Sequence, residues 1–278
     1  MKVAIIGATG FIGKNLVLQL IKKKTKIIAT YNSNRKYKKN SKNITWIKLN
    51  IAIKRKNYFK YLGCPDVVIN LAWPDIPKYT LKKHLKTFNL QKRLNYNLIK
   101  NGLKNLIVLG TCYEYGNISG KISEHMKCKP NIPYGEAKLK LLESIIGFKK
   151  KYNFKLTWLR PFFVYGENKK RATLYSLVKQ LDKNNNIKLK VCGNLVRDFL
   201  SVNFLCHVIL KIIKINKDIG ILNVCSGKKI TIKKFIKKIL INKNRIKNIN
   251  MNGKNPNFFE PNKFWGDNSK LKKITLKK

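Results

Sequence analysis

The sequence contains very few acidic residues and little arginine. Of its 278 residues, 12 are Asp or Glu and 61 are Lys or Arg, which gives a formal net charge of +49. Only seven of these cations are Arg. Proteins that read base edges and phosphates favour the planar, forked donors of Arg, whereas Lys is a hydrated point charge on a flexible stem. The scarcity of Arg therefore argues against a dedicated nucleic-acid reader.

The lysines are spread along the whole chain. A nucleic-acid surface would instead gather cations on one face with aromatic residues between them. Lys, Asn and Ile, whose codons are rich in A and T, make up about two-fifths of the chain. We therefore interpret the charge as compositional drift and expect no specific nucleic-acid partner. A protein that binds nucleic acid or an anionic membrane surface is the alternative.

Paired cysteines and long apolar runs are also absent from the sequence. The six cysteines are single, and no His stands at metal-ligand spacing, so neither a disulfide framework nor a metal site is expected. No run of about 18 apolar residues occurs, as a membrane span would need. The apolar start at residues 1–6 is cut by Gly7 before a signal-peptide core could form. We expect a cytoplasmic protein with no membrane span.

Short β-branched runs alternate with longer segments of helical period. This alternation predicts βαβ units, and the right-handed crossover rule then favours an α/β fold with a doubly wound parallel sheet. Two stretches rich in Lys and Asn, 32–43 and 242–255, are expected to be solvated loops or weak elements. The expected strands are 3–6, 26–30, 44–49, 67–71, 106–110 and 156–160, and the expected helices are 11–23, 81–102 and 133–152.

A glycine-rich loop follows the first predicted strand. Gly7 permits a tight turn, Gly10 lets the backbone approach a pyrophosphate, and Gly13 allows the helix to pack on the strand. The N–H groups at the start of the helix would bind the anion. The pattern indicates a dinucleotide-binding loop of the Rossmann type, and a glycine turn without a ligand is the alternative. The cofactor-binding residues expected here are Gly7, Thr9, Gly10, Phe11, Ile12 and Gly13.

The end of the second predicted strand bears on the choice of dinucleotide. An acidic residue there would hold the adenosine ribose and repel a 2′-phosphate. The sequence has no carboxylate at this point, whereas Ser33 and Arg35 could accept a 2′-phosphate. We therefore favour NADP(H). NAD(H) stays possible because the drift that supplied the lysines could have erased an acid.

Three residues form a candidate catalytic group. Tyr134 and Lys138 are four residues apart at the start of a predicted helix, so both side chains lie on one face. A phenol has a reference pKa of about 10, and a neighbouring ammonium favours the proton transfer that general acid–base catalysis needs. Thr111 follows a buried strand, where its hydroxyl could bind both the substrate oxygen and the phenol.

The glycine loop, the strand-end Thr and the Tyr-x-x-x-Lys spacing together resemble the extended short-chain dehydrogenase/reductases, specifically the NAD(P)-dependent epimerase/dehydratase family. The resemblance covers nearly the whole chain. Further segments that are similar to the family are 67–72, 159–161, 164–166, 197–199, 223–227 and 265–271.

The strict alternation of strands and helices blurs after about residue 161, which predicts a dinucleotide-binding domain at 1–162 and a smaller substrate domain at 163–278, with 191–226 partly returning to the Rossmann sheet. The resemblance implies that Arg197 binds the diphosphate of a nucleotide sugar, and a surface arginine paired with Asp198 is the alternative. Asn50 stands where the family often has an acid near the adenine. The other cofactor contacts that the resemblance implies are Ile51, Leu71, Ala72 and Pro161.

Within the family, the segments around Trp73, Tyr113 and Arg197 look most like bacterial reductases of nucleotide 4-keto-6-deoxyhexoses, which make dTDP-fucose or dTDP-6-deoxytalose for surface polysaccharides. Trp73 and Tyr113 would line the sugar pocket, or they could be core packing. The dehydratases have an Asp-Glu pair after the catalytic Thr, whereas this chain has Cys112 and Tyr113. Dehydratase activity is therefore not expected.

The resemblance leaves three functions open. A reductase would pass a hydride from the nicotinamide to the 4-keto carbon while Tyr134 donates a proton to its oxygen. A nucleotide-hexose 4-epimerase would use the same three residues with tightly bound NAD. A noncatalytic dinucleotide- or RNA-binding protein is the alternative of another class. The two long predicted helices, 81–102 and 133–152, resemble those that form the family's four-helix interface, so a homodimer is expected.

Overall fold

Strands and helices alternate along the chain, as the sequence predicts. The computed structural model describes residues 1–32, 41–167, 174–184, 188–255 and 259–276. The strands are β1 (Lys2–Ile6), β2 (Lys26–Tyr31), β3 (Ile44–Lys48), β4 (Val67–Asn70), β5 (Asn105–Leu109), β6 (Gly120–Ile122), β7 (Lys155–Pro161), β8 (Phe163–Tyr165), β9 (Leu189–Lys190), β10 (Val196–Arg197), β11 (Phe199–Ser201), β12 (Gly220–Val224), β13 (Ile230–Thr231), β14 (Ile249–Asn250) and β15 (Phe264–Gly266). The helices are α1 (Phe11–Ile21), α2 (Tyr58–Tyr61), α3 (Lys83–Lys100), α4 (Pro133–Phe148), α5 (Leu174–Leu181), α6 (Val202–Ile215), α7 (Ile232–Ile239) and α8 (Ser269–Leu276).

Seven parallel strands form the main sheet in the order β12-β7-β5-β4-β1-β2-β3. The chain runs outward from β1 to β3 and then returns to β4 on the other side of β1. The order of the strands therefore reverses between β1 and β4, and open α/β sheets bind ligands in the crevice at such a point. This arrangement confirms the predicted α/β fold with a doubly wound parallel sheet.

Helices cover both faces of the sheet, so successive residues of β1 face different cores. Val3 and Ile5 pack with apolar residues of α1 and α6, whereas Ala4 and Ile6 pack with those of α3 and α4. All four side chains are at most 1% exposed. A strand buried on both faces must be continuously apolar, which explains why the sequence of β1 shows no alternation of polar and apolar residues.

The smaller C-terminal lobe has its own apolar cluster. Val178 and Leu181 of α5 pack there with Ile236 of α7, Leu240 and Ile249. Within 191–226, β12 lies in the main sheet, whereas β10 and β11 pair with β13 and β8 outside it. The division of the chain at residue 162 stays a prediction. No helix in the described part of the chain is long and apolar enough to cross a membrane.

Candidate active site

The glycine loop is shaped by close backbone contacts. Gly7 has a φ of +86°, and a Cβ atom at Gly13 would lie 2.3 Å from the Gly7 carbonyl oxygen. The N–H of Gly10 donates to the same oxygen at 3.0 Å. Helix α1 begins at Phe11 with no side-chain cap and no acidic residue in its first turn. Such a helix start, next to a close-packed glycine turn, fits a dinucleotide pyrophosphate.

The loop's remaining residues are held by neighbouring elements. The N–H of Gly7 donates to Thr30 Oγ1 of β2 at 3.1 Å. Thr9 and Phe11 are half-buried, and the carbonyl of Ile12 accepts a weak hydrogen bond from Cys206 Sγ of α6. The structure thus places the predicted loop residues together at the carboxyl end of β1.

The adenosine end of the predicted site is described only in part. Ser33 and Arg35, on which the NADP(H) interpretation depends, lie outside the described residues. Asn50 Oδ1 accepts a hydrogen bond from the Ala52 N–H at 2.9 Å, so this amide oxygen holds its own turn. The carbonyl of Ile51 accepts from Arg93 Nη2 at 2.6 Å.

Three buried amides that the sequence analysis did not single out hold the segment after β4. Asn70 Nδ2 donates to Gln91 Oε1 at 2.8 Å and to Asn95 Oδ1 at 3.2 Å. Gln91 Nε2 in turn donates to the Ala72 carbonyl at 2.7 Å, while the Leu71 N–H donates to the Ile6 carbonyl. The network fixes Leu71 and Ala72 beside the glycine loop. Pro161 ends β7 and pairs in register with Val224.

Tyr134, Thr111 and Lys138 meet at the carboxyl end of β5. The side chain of Thr111 lies close enough to the Tyr134 phenol to lower its pKa, and each residue is 5% exposed. Lys138 lies one helical turn beyond Tyr134, with Nζ 6.0 Å from the centre of the phenol ring. Its Nζ donates to the Leu109 carbonyl at 2.5 Å. The Thr111 side chain and the Lys138 amine therefore both lie near the Tyr134 ring.

Burial sets the protonation of this group. Loss of hydration raises the pKa of Tyr134 well above its usual value, with Tyr79 as a further cause and the Thr111 side chain opposing it. Burial lowers the pKa of Lys138 to about 7, and the negative charge of Glu114 opposes that shift. At neutral pH the phenol therefore holds its proton and the amine is near its titration midpoint. Tyr134 can act as a proton donor.

Aromatic rings surround Tyr134. The centres of the Tyr79 and Trp73 rings lie 5.3 Å and 6.0 Å from its ring, and Tyr113 lies at 6.4 Å. Lys138 Nζ lies 3.9 Å from the Trp73 ring centre, close enough for a cation–π contact. Tyr79 was missed by the sequence analysis, because an aromatic residue in a loop carries no periodic signal.

A buried histidine supports the Trp73 ring and was also missed. Trp73 Nε1 donates to His84 Nδ1 at 3.1 Å, and His84 Nε2 lies 2.8 Å from the Lys78 carbonyl. Because the first contact needs an acceptor at Nδ1, the ring proton belongs on Nε2, which donates to that carbonyl. The ring centres of His84 and Tyr134 are 5.2 Å apart. His84 therefore joins the predicted helix α3 to the candidate site.

Arg197 is buried and paired with Glu260. Its Nη2 and Nε lie 2.7 Å and 3.2 Å from Glu260 Oε2, and Nη1 donates to the carbonyls of Val196 and Pro261 at 2.9 Å each. Tyr113 Oη donates to Glu260 Oε1 at 2.5 Å. Most of the five N–H donors of the guanidinium thus have partners within the chain, and a phosphate would have to share them.

The alternative interpretation of Arg197 as a surface residue paired with Asp198 is not what the structure shows. Arg197 is 2% exposed. Asp198 instead accepts hydrogen bonds from the N–H groups of Ser226 and Gly227 at 2.7 Å and 2.9 Å. Glu260 lies in a segment without helical or strand periodicity, so no signal in the sequence indicated this ion pair.

Comparison with known protein families and known proteins finds matches that cover most of this chain. Residues 3–225 match the model of the NAD dependent epimerase/dehydratase family. A dTDP-6-deoxy-L-talose 4-dehydrogenase (NAD(+)) of Aggregatibacter actinomycetemcomitans is 26% identical over 231 residues, covering 82% of this chain and 85% of that protein. An uncharacterized UDP-glucose epimerase of Bacillus subtilis is 27% identical over 221 residues, and the match covers 73% of this chain and 69% of that protein.

Solved structures share the fold. A UDP-glucuronic acid 4-epimerase from Bacillus cereus, solved with UDP-glucuronic acid and NAD, superposes with a TM-score of 0.82 at 21% identity. The match covers 100% of this chain and 94% of that structure's chain. At this level of identity the likeness establishes the fold.

Proposed function

We propose that this chain, which belongs to the NAD dependent epimerase/dehydratase family, is a nicotinamide-dependent enzyme that reduces the 4-keto group of a nucleotide 6-deoxyhexose. The observation that carries the proposal is the buried placement of the Tyr134 phenol beside the Thr111 side chain, with Lys138 one helical turn further along α4. The relative named dTDP-6-deoxy-L-talose 4-dehydrogenase supports the choice of substrate class, because a 4-dehydrogenase catalyses the reverse of the proposed reduction of a 4-keto group.

The side chains account for the proton in this reaction. A bound nicotinamide dinucleotide supplies the hydride that reduces the carbonyl carbon. Tyr134 donates its phenolic proton to the carbonyl oxygen, so the C=O group becomes CH–OH. The Thr111 hydroxyl, fixed beside the phenol, stabilises the charge that develops on both oxygens. Lys138, when charged, stabilises the phenolate that is left.

We expect the sugar of the substrate to contact the aromatic rings around Tyr134 and its diphosphate to lie near Arg197. Trp73 and Tyr113 flank Tyr134, so they are placed to contact a sugar ring. Arg197 lies on the far side of Tyr113, joined to it through Glu260.

Preference for NADP(H) over NAD(H) stays a prediction that rests on Ser33 and Arg35. The described end of β2, at Tyr31 and Asn32, carries no carboxylate, which is compatible with a 2′-phosphate. The relative from Aggregatibacter is named for NAD(+). Comparison of kcat/KM for NADPH and NADH tests the prediction. If Arg35 binds the 2′-phosphate, Arg35→Ala should lower the ratio of kcat/KM for NADPH to kcat/KM for NADH.

The test of the proposed reaction is incubation with a panel of nucleotide 4-keto-6-deoxyhexoses and NADPH or NADH. We expect loss of reduced-cofactor absorbance and a product two hydrogens heavier. Tyr134→Phe should reduce kcat by about 100-fold or more, as loss of a general acid does, with little change in dinucleotide affinity. Turnover that persists in this variant would refute the role of Tyr134.

A nucleotide-hexose 4-epimerase is the second candidate, because the same three residues serve both reactions and one relative is named as a UDP-glucose epimerase. The two functions differ in how the cofactor is handled. An epimerase retains its dinucleotide during purification and interconverts sugars without added NADPH, whereas a reductase exchanges it in every cycle. If no sugar nucleotide is turned over and RNA is retained in a salt-dependent way, the protein is instead a noncatalytic RNA-binding protein.

A further inference from the structure

A fully buried carboxylate lies directly behind Thr111. Glu114 belongs to the 3₁₀ turn Cys112–Tyr115, and its side chain is 0% exposed. Its Oε1 accepts a hydrogen bond from the Thr111 N–H at 2.8 Å, while Thr111 Oγ1 accepts one from the Tyr113 N–H. The two residues form a capping box, which fixes the backbone and the side chain of Thr111 reciprocally.

The carboxylate of Glu114 is itself held by β7. Arg160 Nε donates to Oε2 at 2.7 Å, and Trp158 Nε1 lies 3.0 Å from both carboxylate oxygens. A Cβ atom at Gly110 would lie 2.6 Å from Oε1 and 2.2 Å from the Trp158 ring nitrogen. Glu114 thus ties the end of β5, which carries Thr111, to the neighbouring strand.

A buried ion pair of this kind is not required for stability, because well-packed apolar residues are often as stabilising. Its distinctive property is a fixed geometry. Every atom of the carboxylate that can accept a hydrogen bond faces a donor on a rigid element. The pair therefore fixes the position of Thr111, which the Glu114 carboxylate contacts at the candidate site.

We propose that Glu114 is a positioning residue for the reaction: held by Arg160 and Trp158, its carboxylate fixes Thr111 and thereby places the Thr111 side chain beside the Tyr134 phenol. This inference rests on the proposed function and names a residue that touches neither substrate nor cofactor. Glu114 is among the groups that raise the pKa values of Tyr134 and Lys138. The other titratable groups around the phenol are Tyr79, His84, Cys112, Tyr113 and Lys138.

Two substitutions separate the geometry from the charge. Glu114→Gln keeps the size and removes the charge, so the pKa values of Tyr134 and Lys138 should fall and the alkaline limb of kcat should move to lower pH. Glu114→Asp keeps the charge and withdraws the carboxylate by about 1.5 Å, so kcat should fall by about 100-fold, as misplacement on that scale can cost, with an unmoved limb. In both variants KM for the nucleotide sugar should stay near that of the wild type. Glu124→Gln is the matched control, since Glu124 also accepts a backbone N–H, that of Asn223.

A second measurement does not depend on turnover. With ¹³C-labelled tyrosine, the Cζ resonance that Tyr134→Phe removes belongs to Tyr134 and reports the surroundings of its phenol, including the Thr111 side chain. We expect this resonance to move in Glu114→Gln and to stay in place in Glu124→Gln. If Glu114→Gln does not fold, the double variant Glu114→Gln/Arg160→Met removes both buried charges and is measured in its place.

Each variant has its own outcomes. A lower kcat in Glu114→Asp, together with a shifted pH profile and a moved resonance in Glu114→Gln, supports the positioning role. An unchanged kcat in Glu114→Asp, or an unmoved profile and resonance in Glu114→Gln, overturns it. If the wild type turns over no sugar nucleotide, the proposed reaction fails, and the resonance alone then decides whether Glu114 positions Thr111 and Tyr134.

Discussion

Gly13→Ala is expected to weaken dinucleotide binding through a steric conflict that the structure defines. The added Cβ would lie 2.3 Å from the Gly7 carbonyl oxygen and 2.7 Å from Ala8 Cα. Both atoms belong to the backbone, so no side-chain rotation relieves the contact. Separations near 3.4 Å are ordinary for such pairs, and α1 would have to move away from the loop by about 1 Å to restore them.

The magnitude follows from two opposing contributions. Overpacking of this kind destabilises a fold by about 1–3 kcal/mol, while replacing a helical Gly by Ala stabilises by about 1 kcal/mol. We expect a net loss of about 1–2 kcal/mol in the free energy of unfolding. Displacement of the helix start from the loop should also raise the dissociation constant of the dinucleotide at least about tenfold, since one charge-assisted hydrogen bond contributes about 1.5–3 kcal/mol.

The matched control is Gly147→Ala, because an added Cβ there meets nothing within 4 Å. Gly147 lies in α4, so this substitution should stabilise the protein by about 0.5–1 kcal/mol and leave binding unchanged. Urea denaturation gives the stabilities, and titration of the reduced dinucleotide followed by fluorescence gives the affinities. A Gly13→Ala variant with wild-type stability and affinity would refute the packing argument.

Three other predictions concern the site and the assembly. Lys138→Met should remove a pH dependence of stability: the folded pKa of about 7 lies below the unfolded value near 10.5, so the wild type gains stability as pH rises through this window. The gain in the free energy of unfolding is roughly 3–5 kcal/mol before solvent relaxation. The denaturation midpoint of the wild type minus that of the variant should therefore increase between pH 6 and pH 10. If this difference is the same at every pH, the prediction is wrong. Arg197→Lys should raise KM for the nucleotide sugar about tenfold with a smaller effect on kcat, because one ammonium cannot serve Glu260, two carbonyls and a phosphate; an unchanged KM in steady-state kinetics would count against diphosphate binding at this residue. Sedimentation at micromolar concentration should show a dimer, and a monomer would remove the homodimer prediction.

The elements that the sequence predicts well are those with a strong period and a marked boundary. Helix α1 follows Gly10 directly, and most residues of β1, β4 and β5 are buried and are β-branched or leucine. Boundaries without such marks are less accurate. The sequence predicts a helix over 133–152, whereas α4 ends at Phe148. The N–H groups of Lys149, Lys150 and Lys151 donate to carbonyls three residues back, so the chain tightens into a 3₁₀-type turn after α4.

The residues of the candidate site also differ in whether the sequence alone indicates them. Tyr134, Lys138 and Thr111 could be recognised because each stands at a fixed distance from a strand end or a helix start. Glu114 could have been found from the Thr-x-x-Glu spacing of a capping box. Glu260 and Tyr79 could not, since their roles depend on where two irregular segments cross the carboxyl edge of the sheet.

The scarcity of acidic residues gains a physical meaning from the structure. At least seven of the 12 carboxylates accept a hydrogen bond from a backbone N–H, and these are Asp66, Glu114, Glu124, Asp182, Asp198, Asp218 and Asp267. A carboxylate that serves an otherwise unpaired N–H is expensive to replace by Lys or Asn, whereas a solvated one is not. If drift has enriched the chain in lysine, the acids that remain should be those with such structural duties. The distribution of the acidic residues therefore supports drift as the origin of the +49 charge.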